Sequence, residues 1–164
     1  MATTDHLGAR AEEGPLLAGF LDWYREVVEH KVSGLSLEDA TRIMTPTGMS
    51  PLGILAHLAA VETGWFVEDF AGGAADPVWD DHGSFRLRAD DSVDSVLEEY
   101  RLACANSRTI TAAAPSLDTL SVAEDKYRGH VSLRWILVHM IEETARHAGH
   151  LDVMREQIDG QTGD

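Results

Sequence analysis

The sequence predicts an all-α protein, a four-helix bundle with a long crossover connection between its second and third long helices. Three observations carry this. Four segments of about 17 to 28 residues repeat apolar side chains at helical spacing. No segment alternates apolar and polar residues strongly enough to assign a sheet. A stretch over residues 72–90, broken by Gly72, Gly73, Pro77, Gly83 and several Asp, separates the second segment from the third. Long helices with one long connection define a bundle of this kind.

The first helix is expected from about Pro15 to Lys31, with Leu17, Phe20, Leu21, Tyr24, Val27 and Val28 as its apolar stripe. Pro15 suits a first turn, where the missing N–H does no harm. A short helical turn should follow Ser36, with Glu38 and Asp39 in its first turn. The second long helix starts at a clear signal, Ser50 as cap and Pro51 at the first helical position. Ile54, Leu58, Val61 and Trp65 continue it to about Ala71. In the connection, Trp79 and Phe85 are apolar residues able to pin it to the bundle. A segment of this length is either such a pinned crossover or a functional loop. The third helix should run from Val93 to Ala113, with Val93, Leu97, Tyr100, Cys104 and Ser107 on one face and Pro115 past its end. The fourth should start after Ser132 and stop at Gly160. Its residues Leu133, Leu137, Met140, Thr144, His147, Leu151, Met154 and Ile158 alternate by four and three, which is a bundle seam.

The length of 164 residues fits one domain, 1–164, with residues 1–14 as a loosely ordered N-terminal tail. The 28 acidic and 13 basic residues give a net charge of −15, a balance that disfavours nucleic acid and anionic lipid as partners. The acidic residues are spread along the helices and read as a solvated surface. Cys104 is the single cysteine, so no intramolecular disulfide can form. It reads as a small buried residue. No signal-peptide core or membrane-length apolar run is present, and a cytoplasmic protein is expected. Trp23, Trp65 and Trp135 suit interfaces as well as cores, which leaves a homodimer open.

The segment HMIEETARHAGH, residues 139–150, carries the chemistry. Glu143 and His147 stand four residues apart and share one helical face. His57 faces inward from the second helix, between Ile54 and Val61. A lone inward histidine is more often a satisfied core residue than a ligand. An ionised carboxylate beside a seam, however, needs a partner or a cation. Arg134 and Arg146 are available as partners. The alternative is one metal ion held by His57, Glu143 and His147. Two nitrogens and an oxygen suit Zn²⁺ first, with Ni²⁺, Mn²⁺ and Fe²⁺ also compatible. Three protein ligands leave one position open. His139 is too far along the helix from His147 to share the ion, so His139 and His150 rank as cleft wall or supporting residues. His6, His30, His82 and His130 read as surface residues.

Two stretches, TPTGMSPLGILAHLAAVETGWF and SLRWILVHMIEETARHAGHLDVMREQIDGQTGD, resemble the second and last helices of the DinB/YfiT-like superfamily. The resemblance extends from about residue 16 to 164. It implies a four-helix bundle that binds a divalent metal through three ligands near one end. Its ligand positions fall on His57, Glu143 and His147. Many members have three histidines; glutamate at position 143 resembles the branch that includes mycothiol-dependent maleylpyruvate isomerase. Those isomerases carry a further C-terminal domain, and this sequence runs only to Asp164, so isomerisation is not the first expectation. The resemblance instead implies thiol chemistry. The expected cofactors are the metal and a low-molecular-weight thiol such as mycothiol, and the expected partners are that thiol and a small electrophile. The expected function is a metal-dependent thiol S-transferase. The alternatives are another metal-dependent hydrolase or isomerase, or a non-catalytic metal-binding stress-response protein.

Overall fold

The computed structural model describes residues 8–74 and 85–162. Five α-helices lie in these segments: α1 (Glu13–Val32), α2 (Leu37–Thr41), α3 (Pro51–Glu62), α4 (Val93–Ala113) and α5 (Leu133–Asp159). The only pairing of strand type among the described residues is two isolated bridges, Leu120 with Ser132 and Asp125 with Gly129. The molecule is an all-α bundle.

The helix starts follow local chemistry. The hydroxyls of Ser36, Ser50 and Ser132 accept from the backbone N–H three residues on, at Asp39, Gly53 and Trp135. Ser92 and Ser95 cap α4 reciprocally. Each such cap satisfies a donor that the helix itself leaves open. Gly160 ends α5 at φ +77°, a conformation that a side chain resists. α1 begins at Glu13, so Pro15 is the third helical residue, still within the turn whose N–H groups have no intrahelical partner.

One departure from regular periodicity bears on the site. α3 does not continue as α-helix to residue 71; from Thr63 to Phe70 it widens into a π-helix. Ala71 N–H donates to the Phe66 carbonyl at 3.1 Å, five residues back. The apolar pattern of TGWFVEDF suits either kind of turn, which is why the sequence predicts plain α-helix here.

Ion pairs show how the helices run. On α1, Glu13 meets Arg134 and Lys31 meets Asp152, so α1 and α5 are parallel. Asp22 meets Arg108 and Glu29 meets Arg101, so α4 is antiparallel to α1. α3 is antiparallel to α5, since His57 reaches Glu143 while Trp65 reaches Trp135. α3 and α4 therefore run the same way and are joined by residues 71–92.

Two apolar clusters fill the bundle. One gathers Val28, Val32, Leu55, Leu58, Leu97, Tyr100, Cys104, Leu151 and Met154. The other gathers Leu21, Val61, Phe66, Phe70, Leu133, Ile136, Leu137 and Met140. Buried polar residues from all four long helices lie between them: Arg25, Glu62, Ser107 and Thr144. Each is satisfied. Arg25 Nε and Nη2 donate to the two oxygens of Glu62 at 2.7 and 2.6 Å, while Ser107 and Thr144 donate to carbonyls one turn back. Arg25 sits on the same seam as Leu21 and Val28, where an apolar residue is the ordinary choice.

Candidate metal centre

The three singled-out side chains come together between α3 and α5. Glu143 Oε1 stands 3.2 Å from His57 Nε2 and 3.2 Å from His147 Nε2. One ligand atom from each of the three residues lies within 4.8 Å of the others. Two ligands about 2.0–2.1 Å from a tetrahedral Zn²⁺ stand about 3.3 Å apart, which matches the spacing of Glu143 Oε1 to each imidazole nitrogen. The triad can hold a metal on size and on donor type. Among the described residues no fourth His, Cys, Asp or Glu joins this group.

The surroundings orient the ligands. His147 is buried, and its Nδ1 lies 3.4 Å from His150 Nδ1. Without a cation, His147 and His57 donate Nε2–H to Glu143 Oε1; a metal ion would take that place, with the His147 proton then on Nδ1, where His150 Nδ1 can accept it. A carboxylate and an imidazole lone pair at 3.2 Å repel unless a proton or a cation lies between them. Arg146 Nη1 contacts the other oxygen of Glu143 at 3.1 Å. Hydrogen bonds from His147 and His57, helped by the nearby Arg146 charge, outweigh partial burial and hold the Glu143 carboxyl well below the usual range. The Glu143 carboxylate is thus ionised throughout the physiological range. Burial first, then the His147 and Arg146 charges, push the His150 imidazole down.

Apolar walls flank the triad. The Phe85 ring packs on His57 at 4.9 Å and on His147 at 5.7 Å. Gly53, one turn before His57, makes this possible. A Cβ there would fall 2.6 Å from the Phe85 carbonyl oxygen and 3.2 Å from its Cβ. Phe85 therefore does what the sequence suggests for the connection's aromatic residues, and Trp79 lies outside the described residues. On the other side, His139 takes no part in the triad and instead stacks on Trp135 with centroids 5.0 Å apart.

The available arginines divide. Arg146 pairs with Glu143, but Arg134 does not; it turns to Glu13 and Asp118 at the bundle surface. His130 is surface-exposed and pairs with Glu124, and His30 is exposed, while His6 and His82 lie outside the described residues. Sequence reasoning missed the Arg25–Glu62 pair and the Gly53–Phe85 contact. Arg25 at a seam position was a usable signal for the first; nothing local announces the second. A cavity of about 480 Å³ lies between α1, the end of α4 and the start of α5, and includes none of the triad. Its charged residues Asp22, Arg25 and Arg108 are already paired with one another.

The fold and the family match define the class: a helical bundle of the DinB/YfiT-like superfamily, with His57, Glu143 and His147 as a candidate metal site. Residues 16–160 match the family described as Mycothiol-S-transferase, and the chain belongs to that family. A crystal structure of a conserved protein from Enterococcus faecalis has a similar fold, with a TM-score of 0.68 and 16% sequence identity over 92% of this chain and 99% of that one. No curated protein matches the sequence. No helix among the described residues is long and apolar enough to cross a membrane.

Proposed function

We propose that His57, Glu143 and His147 hold a divalent metal ion, Zn²⁺ by donor set, and that the protein conjugates a low-molecular-weight thiol of the mycothiol type to a small electrophile in the cytoplasm. The observation that carries this reading is the three-ligand group with no fourth protein ligand among the described residues, in a chain of the Mycothiol-S-transferase family. A bound divalent ion supplies Lewis acidity, which lowers the pKa of a thiol so that thiolate is present at neutral pH. The reaction forms a carbon–sulfur bond and breaks the bond from that carbon to its leaving group. The leaving group departs with the electron pair, and the thiol proton passes to solvent.

The chain's own residues fix the geometry. Glu143 brings a negative charge that a divalent cation offsets. His150 turns His147 through their Nδ1 contact. Arg146 holds the outer oxygen of Glu143, which leaves Oε1 directed at both imidazoles. Phe85 covers the two imidazole rings and keeps bulk water from that side.

The test is direct. Zinc-loaded protein is mixed with mycothiol and monobromobimane, and thiol loss and conjugate formation are followed. Conjugation above the uncatalysed rate, abolished in His147→Ala together with stoichiometric zinc, is the expected result. Metal-loaded protein that leaves mycothiol and simpler thiols at the uncatalysed rate overturns the transferase reading. Full zinc retention in His147→Ala overturns the triad.

A further inference from the structure

Resting on the transferase reading, we propose that Trp65 and His139 form the electrophile wall of this site and select flat, π-rich electrophiles over saturated ones. On α5, Trp135, His139, Glu143 and His147 follow one another every four residues, and so form one row along the helix. On α3 and its π-helical extension, Gly53, His57, Val61 and Trp65 do the same. The two rows face each other in antiparallel sense. His57 meets Glu143 and His147, and Trp65 meets His139 and Trp135 at centroid distances of 5.1 and 5.2 Å. Four residues of α-helix rise about 6 Å, so the aromatic group begins about one helical turn from the triad. A ring carried directly on the reacting carbon reaches that far.

The rings brace one another. Trp135 has His139 stacked on it at an interplanar angle of 21° and the Arg128 guanidinium 5.0 Å from its centroid. Trp65 stands edge-on to His139, at 74°. His139 is the member of the cluster nearest Glu143 along α5, one turn from it, and Trp65 stands beside it. The rings are not sealed in the core: Trp65 and Trp135 are half-buried, and the His139 side chain is 26% exposed. Glu142 Oε2 lies 3.4 Å from His139 Nδ1 and steadies the ring. The π-helix Thr63–Phe70 supplies a second, independent observation. Such widened turns are rare and recur at functional sites, and this one begins between the ligand His57 and the wall residue Trp65. Flat, π-rich groups prefer offset or edge-to-face packing against rings at these distances.

The test uses zinc-loaded full-length protein and does not need turnover. Calorimetric titrations compare inert 1,3-dinitrobenzene with nitrocyclohexane. Wild type should prefer the flat ring, and Trp65→Leu should cut that preference on the order of fivefold to tenfold. Trp65→Phe, which keeps a ring, should retain most of it. His139→Ala should also lower it and serves if Trp65→Leu fails to fold. The same ratio is read as kcat/KM for a chloro-dinitroarene against a saturated alkyl bromide. Equal binding of the two ligands by wild type, or an unmoved ratio in folded Trp65→Leu and His139→Ala with normal zinc content, overturns the wall. A preference for the flat ring that the variants remove, in protein that conjugates no thiol, sustains the wall and overturns the transferase reading instead.

Discussion

Glu62 and Glu143 both lie inside the bundle, yet their partners differ in kind. Glu62 is 1% exposed and has both oxygens taken by the Arg25 guanidinium. Glu143 is half-buried and faces two imidazole nitrogens at equal distance, with one arginine nitrogen behind it. The guanidinium is a permanent cation whose fork matches a carboxylate, so the first pair is complete in itself. Burial works to lower the Arg25 pKa, but Glu62 more than offsets it and the net shift is upward. An imidazole, by contrast, offers either a proton or a lone pair. Once a cation displaces those protons, two lone pairs and a carboxylate oxygen converge on one point and make a place for it. The contrast separates a charge pair that holds helices together from a charge cluster that can hold a ligand.

The largest effect should come from breaking the complete pair. Glu62→Ala leaves the Arg25 charge buried with only Asp22 beside it, and should cost about 3–5 kcal/mol in urea unfolding. The double change Arg25→Met with Glu62→Leu should recover much of that loss, since apolar replacements of similar volume suit a buried site. Glu143→Gln in metal-free protein should cost less than Glu62→Ala, because it leaves two imidazoles that can be neutral, rather than a permanent buried cation, and keeps a side-chain oxygen to accept from them. Equal losses for Glu62→Ala and Glu143→Gln would erase the distinction between the two sites.

Metal should narrow the gap between the two sites. With free zinc at about 100 times its Kd, wild type should gain about 2.7 kcal/mol, and a chelator should remove the gain. His57→Ala, Glu143→Gln and His147→Ala should each lose that zinc-dependent rise in melting temperature, whereas the Arg25→Met, Glu62→Leu double variant should keep it. Zinc analysis after gel filtration checks the same point independently.

The difference between the two sites also explains what is legible in the sequence. α4 and α5 are readable almost to the residue, since Ser92, Ser132 and Gly160 carry their boundary signals in side-chain type and backbone preference. The pairing of Glu143 with His147 is readable because one helix fixes it; His57 requires the resemblance or the fold to bring it across. The π-helix is not legible, because a widened turn exchanges one backbone partner for another without a change in apolar pattern. The Arg25–Glu62 pair is legible only in part: Arg25 stands out at a seam position, but its partner lies 37 residues away and only packing brings it there. Arg134, a plausible partner for Glu143 by type, lies more than two turns away toward Glu13, which only packing could decide.

A smaller effect should come from the cover over the triad. Gly53→Ala places a Cβ against the Phe85 backbone, and backbone cannot swing aside as a flexible side chain can. The expected cost is about 1–3 kcal/mol, with weaker zinc retention as Phe85 lifts from His57 and His147. At Gly149, on α5, an added methyl would meet nothing within 4 Å, so Gly149→Ala should stabilise by about 0.5–1 kcal/mol through helix propensity alone. Two glycine-to-alanine changes of opposite sign, read by thermal unfolding, would tie the cost at Gly53 to Phe85 rather than to the substitution itself. Stabilisation by both would show that Phe85 moves away freely.

The smallest effect concerns the chain's own thiol. Cys104 is buried on α4 in the apolar cluster, and burial, reinforced by the charge of Glu62, pushes its pKa up to about 12. A thiol that stays protonated is a poor nucleophile, so thiol chemistry by this protein must use an exogenous sulfur. Cys104→Ala should cost about 1 kcal/mol through lost packing and leave bimane conjugation at the wild-type rate. The sign of the pH effect follows from the raised pKa. The unfolded thiol ionises first, so its contribution to stability is whole below its ordinary pKa and is lost as pH climbs toward about 12. Wild type should therefore lose more stability than Cys104→Ala between about pH 8 and about pH 10, values that bracket the ordinary thiol pKa of about 8.5, when urea unfolding is compared at the two. Iodoacetamide should label native protein slowly and urea-unfolded protein fast. Rapid native labelling at neutral pH, or conjugation that fails in Cys104→Ala, would move the reactive sulfur into the protein and away from the triad.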